Sequence, residues 1–176
     1  MLKFFKFTSI ALLLIPALVM AHGPSRRKVV EQVEINAPVD KVWGIISDYC
    51  SIKDWNPSVT DCVSDNGNEP DSTRTITLEN GEKMQEKLIK YNPDNTMYQY
   101  MLLKANVKAM PINTHGSTLS VKAGENGKTI VEWKGAFYRS FPGPNPPPEL
   151  TDEAAIKILT AFYRAGLDNI KKLAEQ

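Results

Sequence analysis

The chain has only two cysteines and two histidines among its 176 residues. A structural zinc site takes four ligands, and both histidines lie far in sequence from the cysteines. The cysteines, Cys50 and Cys62, are not spaced as C-x-x-C either. The scarcity of these residue types therefore argues against a zinc protein and against a C-x-x-C oxidoreductase.

Motifs for catalysis are also missing. The sequence contains no G-x-S-x-G, no glycine-rich phosphate loop and no H-E-x-x-H. His115 is the only internal histidine, and one isolated histidine is more often structural or exposed than a general base. Most of the other available polar groups are expected on solvated strand faces; these are Asp54, Glu86, Glu132 and Arg139. Catalysis is therefore not favoured.

The charges are almost balanced, with 21 Lys+Arg against 20 Asp+Glu. No helix-turn-helix, zinc-finger or aromatic RNA-binding signature is present, so nucleic acid is not an expected partner. A net charge near zero still allows local charged patches that bind a protein partner.

The first residues have the form of a secretory signal peptide. Lys3 and Lys6 precede an apolar run over residues 10–20, and Ala21 is a small residue suited to a cleavage site. The run is too short for a spanning helix of about 20 apolar residues, and Pro16 interrupts it. We predict that residues 1–21 are removed on export to the periplasm, which leaves no stable membrane insertion. An uncleaved anchor is the alternative.

Export determines how the cysteines are interpreted, because disulfides persist in oxidising compartments. Cys50 and Cys62 enclose a short loop that contains Trp55-Asn56-Pro57. A bridge between them is the favoured prediction, and it would contribute about 3 kcal/mol in the chain-entropy model. Free thiols are the main alternative, with metal binding or catalysis less favoured.

Residues 28–176 are predicted to form one domain after a short tail at 22–27. Alternation predicts a strand in RRKVVEQVEI, and apolar spacing predicts an amphipathic helix in VDKVWGIISDY. Strands and turns follow to about residue 141, with a hairpin at Asn80-Gly81. After the proline-rich stretch 142–148, a long helix follows with Thr151 as its N-cap. This order indicates an α+β fold with helices on one face of an antiparallel sheet.

The element order and three short motifs resemble the START-like (helix-grip, SRPBCC) superfamily, and most closely its polyketide-cyclase-type branch. The motifs are Ala37-Pro38, Val42-Trp43 and Trp55-Asn56-Pro57. The resemblance implies a curved antiparallel sheet of about seven strands wrapped around a long C-terminal helix. It identifies a fold rather than a function.

The two ends of the predicted mature chain look like the MxaD family of periplasmic accessory proteins. The start is HGPSRRKVVEQVEI, and the end is PPPELTDEAAIKILTAFYRAGLDNIKKLAEQ. The resemblance implies a non-enzymatic helper that promotes contact between quinoprotein methanol dehydrogenase and its c-type cytochrome, with no cofactor of its own. The alternatives are a carrier or sensor of a small apolar ligand and, third, a cyclase-like or hydrolytic enzyme.

A helix-grip fold commonly leaves an apolar cavity between its sheet and long helix. Tyr98 and Tyr100 share one strand face, so both point the same way. These residue types line pockets but also fill ordinary cores, and the core interpretation is the simpler one. The candidates to line a cavity are Trp55, Met84, Tyr98, Tyr100, Trp133, Phe137, Leu159, Phe162 and Tyr163.

Two further sites have open alternatives. Trp43 is expected to pack its helix on the core, whereas Trp55 either plugs the end of the cavity or contacts a partner. If His22 becomes the mature N-terminus, its amino group and ring could chelate copper with His115 as a third ligand. A mobile tail is the favoured interpretation of His22, so no metal site is predicted.

Overall fold

A computed structural model describes residues 23–176, so the predicted signal peptide and His22 lie outside the described residues. Residues 23–176 form seven strands and three α-helices. They are β1 Arg27–Ile35, α1 Val39–Ile46, α2 Ile52–Trp55, β2 Val59–Ser64, β3 Thr73–Leu78, β4 Lys83–Asn92, β5 Met97–Lys104, β6 Ile112–Ala123, β7 Thr129–Arg139 and α3 Asp152–Ala174.

The seven strands form one antiparallel sheet in the order β1-β7-β6-β5-β4-β3-β2. The helix α3 packs on this sheet, chiefly against β1 and β7, and α1 and α2 pack beside it. The predicted α+β helix-grip architecture is confirmed. No helix in residues 23–176 combines the length and apolar character needed to cross a bilayer.

Local sequence explains where the elements begin and end. Gly81 has φ +80° in the β3–β4 turn, a left-handed conformation that favours glycine. The Thr151 hydroxyl caps α3 by accepting a hydrogen bond from the Ala154 amide at 3.1 Å. The helix predicted over residues 39–49 ends earlier, at Ile46. Beyond it, the Asp48 carboxylate accepts from the Cys50 amide at 2.7 Å and forms a turn.

The start of α3 is fixed to the sheet by Asp152. Its carboxylate lies 2.9 Å from the Arg27 guanidinium on β1 and 3.4 Å from that of Arg139 on β7. Arg139 also donates to the Gly143 carbonyl at 2.7 Å, which holds the proline-rich segment against the end of β7. Arg139 is buried, although most of the four polar groups named with it were expected on solvated strand faces. Its charge is compensated by Asp152, as a buried charge requires.

The disulfide between Cys50 and Cys62 is present, with 5.6 Å between the two Cα atoms. It connects the turn after α1 to β2, the edge strand of the sheet. The predicted bridge therefore joins the short helices to the sheet.

Candidate functional site

All nine candidates for a cavity lining are buried in the hydrophobic core. Trp133 is central to the aromatic contacts. Its ring stacks on Tyr163 at 4.3 Å between centroids and meets Trp55 at 5.4 Å and Phe162 at 5.5 Å. The two tyrosines of β5, Tyr98 and Tyr100, both point inward as expected, with 6.2 Å between their rings. The aromatic side chains therefore pack against one another in the space between sheet and helix that a ligand would need.

A chain of buried hydrogen bonds, which we call the polar cluster, crosses this aromatic core. It consists of Tyr100, His115, Ser117, Trp133 and Tyr163. His115 Nε2 lies 2.9 Å from the Tyr163 hydroxyl, which lies 2.7 Å from Ser117 Oγ. The Trp133 indole donates to Ser117 Oγ at 3.1 Å and to the Tyr100 hydroxyl at 3.0 Å. Each of these residues was available in the sequence, but no motif connects them.

The proton positions in the polar cluster follow from counting donors. Ser117 has one proton, and it donates this proton to the Lys134 carbonyl at 2.9 Å. Tyr163 must then donate to Ser117, and it accepts from His115 Nε2. Nδ1 of His115 is therefore left with its lone pair, and it has no hydrogen-bond partner within residues 23–176. The cluster runs in one direction, from imidazole to phenol to hydroxyl to backbone carbonyl.

Two backbone features place His115 in this position. The β6–β7 register shifts between Asn113 and Gly116, and Thr114 has φ +48° within that irregularity. Bulges of this kind redirect a side chain, and here His115 is turned into the core. Gly135 on β7 provides the space, because a Cβ there would meet the Tyr163 hydroxyl and would lie 2.7 Å from His115 Nε2. His115, expected to be structural or exposed rather than a general base, is buried.

Burial controls the protonation of the polar cluster. It lowers the pKa of His115 to about 4, so the imidazole is neutral near pH 7. It also raises the pKa values of Tyr163 and Tyr100, so both phenols stay protonated. A neutral imidazole with a free lone pair is a weak base, and His115 is only 3% exposed to solvent.

A buried ion pair lies beside the polar cluster. Arg74 on β3 and Glu86 on β4 are directly paired across the hairpin, with Nη2 2.7 Å from Oε2. The Arg74 guanidinium lies over the Tyr49 ring at 4.0 Å and near the Tyr100 ring at 5.0 Å. Burial opposes its charge, but the attraction of Glu86 and the neighbouring tyrosines keeps the Arg74 pKa above its usual range.

Glu86 corrects another expectation. It is almost fully buried, and because Arg139 is buried as well, the expectation that most of the four polar groups lie on solvated strand faces is wrong. Strand alternation indicates this position, because Glu86 shares its face with the buried Met84 and Leu88. Arg74 likewise shares its face with Ile76. The alternation of inward and outward side chains along β3 and β4 therefore places both Arg74 and Glu86 on the buried face, whatever their polarity.

The Trp55-Asn56-Pro57 motif closes one end of the core. The Trp55 side chain is 0% exposed, so the alternative of direct contact with a partner is wrong for this residue. Its carbonyl accepts from Asn169 at 3.0 Å, and Asn56 donates to the Phe162 carbonyl at 3.3 Å. Gly166 lets α3 approach, because a Cβ there would lie 2.9 Å from the Trp55 ring. Trp43 packs on Tyr91 and Tyr98, as expected.

The described residues form several surface depressions. One of about 550 Å³ lies on the face of the sheet away from α3. Two smaller ones, about 460 and 490 Å³, adjoin each other beside α3 and share Asn80, Ala109 and Ile158. Only Tyr100 and Phe162 among the nine candidates reach these depressions. Within residues 23–176 no three His, Cys, Asp or Glu side chains are grouped so as to hold a metal ion.

Known proteins with this fold are similar in both sequence and structure. XoxI from Bacillus cereus is 25% identical with a TM-score of 0.71, covering 84% of this chain and 94% of its own. An uncharacterized protein from Bacillus thuringiensis is 26% identical with a TM-score of 0.69, covering 83% and 97%. Truncated norcoclaurine synthase from Thalictrum flavum is 15% identical with a TM-score of 0.65, covering 86% and 95%, and this shows the fold alone.

No curated protein matches the sequence. Residues 26–175 match the family described as polyketide cyclase / dehydrase and lipid transport. That match spans nearly all of the described chain. The chain therefore belongs to the polyketide cyclase / dehydrase and lipid transport family.

Proposed function

We propose that this protein is a non-enzymatic accessory protein of the periplasm. It promotes contact between a quinoprotein methanol dehydrogenase and its c-type cytochrome acceptor. The resemblance of its two ends to the MxaD family suggests this role. The packing of the interior is the observation that carries it: Trp133, Tyr163 and Trp55 occupy the space between sheet and helix that a carrier would keep for its ligand.

The polar cluster supports a structural interior rather than a catalytic one. Its members are all buried, and its proton chain ends on a backbone carbonyl instead of a reacting group. General acid–base catalysis needs a group within hydrogen-bond reach of a substrate. His115, neutral and enclosed, lacks that access.

The disulfide supports a location outside the cytoplasm. Cys50–Cys62 is typical of proteins in oxidising compartments, and a periplasmic protein meets its electron-transfer partners there. The predicted signal peptide at residues 1–21 provides the route.

The direct test uses purified methanol dehydrogenase and its cytochrome from the same organism. Methanol-dependent reduction of the cytochrome is followed at dehydrogenase and cytochrome concentrations that limit the rate. Increasing amounts of this protein are then added. We expect the reduction rate to rise and saturate, with no rise when the dehydrogenase is omitted. An unchanged rate at saturating protein would count against the role.

A second candidate is the binding of a small apolar ligand, and one observation favours it. Nδ1 of His115 and the hydroxyl of Tyr49 are buried without a partner among the described residues. Buried polar groups without a hydrogen-bond partner are uncommon in protein cores, and a ligand could supply the missing hydrogen bond. Titration with the apolar dye 1-anilinonaphthalene-8-sulfonate tests it: strong fluorescence that His115→Phe abolishes would favour this candidate over the first.

A further inference from the structure

The outer face of the sheet, away from α3, carries two neighbouring rows of side chains that cross five strands. The first row consists of Lys28, Ala136, Gly116, Met101 and Lys87. The second consists of Val30, Lys134, Thr118, Gln99 and Lys90. These ten positions contain four lysines and no carboxylate. We call this surface, together with Arg26 and Ile89, the outer groove.

The outer groove is a concave surface because its floor is made of small residues. Gly116 and Ala136 are adjacent on β6 and β7, and a depression of about 550 Å³ lies above them. Its walls are apolar and in contact with water: Val30 is 55% exposed, Ile89 46% and Met101 40%. Apolar side chains exposed together around a depression mark an interaction surface more often than chance would place them.

The charge of the outer groove indicates what it binds. Lys134 pairs with Glu132, and Lys87 pairs with Asp71. Lys28, Lys90 and Arg26 form no salt bridge with any residue in 23–176. The surface is therefore positive although the whole chain is close to neutral.

We propose that the outer groove binds an acidic segment of a partner protein that also carries apolar side chains. Five strands separated by about 4.8 Å give the groove a width of roughly 19 Å, which suits about six extended residues. Carboxylates of the segment meet the lysines at the ends of the rows, and its apolar side chains cover Val30, Ile89 and Met101. The inference rests on the proposed partner-binding role and assigns the surface that performs it.

The first experiment needs no natural partner. A synthetic peptide of about six residues, alternating glutamate and leucine, is titrated into isotopically labelled protein, and amide shifts are followed by NMR. We expect shifts on the central parts of β1, β5, β6 and β7, and binding that weakens as salt is raised. A peptide with lysine in place of glutamate should not bind. Shifts elsewhere, or none, overturn the proposal, as does binding of anionic phosphatidylglycerol vesicles without the peptide.

Matched variants separate the outer groove from general charge. Lys28→Glu/Lys134→Glu reverses two charges of the groove. Lys41→Glu/Lys157→Glu makes the same change in net charge on α1 and α3, in the helix layer. We expect the groove variant to bind the acidic peptide about tenfold more weakly or worse, and the control variant to bind like the wild type. Equal loss in both variants overturns the assignment.

The same variants distinguish the two proposals in the cytochrome assay. If the wild type stimulates cytochrome reduction and the groove variant does not, both proposals are supported. Peptide binding in the groove without any wild-type stimulation leaves the groove standing and removes the methanol-oxidation role. Stimulation that the groove variant retains removes the groove. Concentration-dependent dimerisation lost in the groove variant would assign this face to a second copy of the chain instead.

Discussion

At the scale of single residues, His115 combines full burial with a ring nitrogen that has no partner within residues 23–176. Its pKa is about 4 in the folded chain, against 6.5 for an ordinary histidine. Between pH 4 and pH 6.5, His115 binds a proton in the unfolded state but not in the native state. The native state is therefore destabilised as the pH falls from 6.5 towards 4, and this cost is absent above 6.5.

The first prediction measures that cost. Wild type and His115→Gln are unfolded with urea at pH values between 7 and 4. The difference between their free energies of unfolding removes the contributions of the carboxylates, because both proteins contain the same ones. We expect the wild type to lose up to about 3 kcal/mol relative to the variant across this window. Parallel curves for the two proteins would show that His115 is not protonated on unfolding.

The second prediction concerns the buried pair of Arg74 and Glu86. Glu86→Gln or Arg74→Met leaves an uncompensated buried group, so each should lower the free energy of unfolding by about 3–5 kcal/mol. The double variant Arg74→Met/Glu86→Gln should lose clearly less than the sum of the two single losses. Chemical denaturation of all four proteins gives the interaction energy. Additive losses would mean that the two side chains act independently.

At the scale of the elements, α3 approaches the end of the core at Gly166. A Cβ there would lie 2.9 Å from the Trp55 ring, 3.0 Å from Trp133 and 3.1 Å from Asn56. Gly44 in α1 is the matched control, because a Cβ at that position meets nothing within 4 Å.

The third prediction compares these two helical glycines. Gly166→Ala should lower the free energy of unfolding by about 1–3 kcal/mol, because overpacking outweighs the gain in helix propensity. Gly44→Ala should instead raise it by up to about 1 kcal/mol. Thermal unfolding measures both. If Gly166→Ala is stabilising, the approach of α3 to the Trp55-Asn56-Pro57 turn is looser than described.

Sequence patterns predicted the elements well because hydrophobic periodicity records which face is buried. The strands follow from it, whereas the Asn80-Gly81 turn and the cap at Thr151 follow from the preferences of turn and N-cap residues. The interior polar groups were harder to predict. Polarity favours solvated faces for charged residues, whereas the strand position of Glu86 points inward. His115 follows a bulge with Thr114 at positive φ, and no residue pattern signals such a bulge.

At the scale of the whole molecule, the disulfide joins the short helices to the edge strand β2. The fourth prediction is that reduction, or Cys50→Ser/Cys62→Ser, lowers the free energy of unfolding by about 3 kcal/mol. Thermal unfolding with and without reductant measures the effect. Reductant should not change the unfolding temperature of the double serine variant. If it does not change that of the wild type either, the bridge does not contribute to stability as predicted.

The pairing of β1 with β7 has a consequence for how the chain folds. Arg27 lies opposite Phe137, which is 110 residues further along the chain (137 − 27), and the other strands pair with neighbours in sequence. During synthesis the antiparallel meander from β2 to β7 can assemble progressively, but β1 has no place in it until β7 is complete. Contacts of such long sequence separation slow folding. We therefore expect the last kinetic step to be the docking of the first strand.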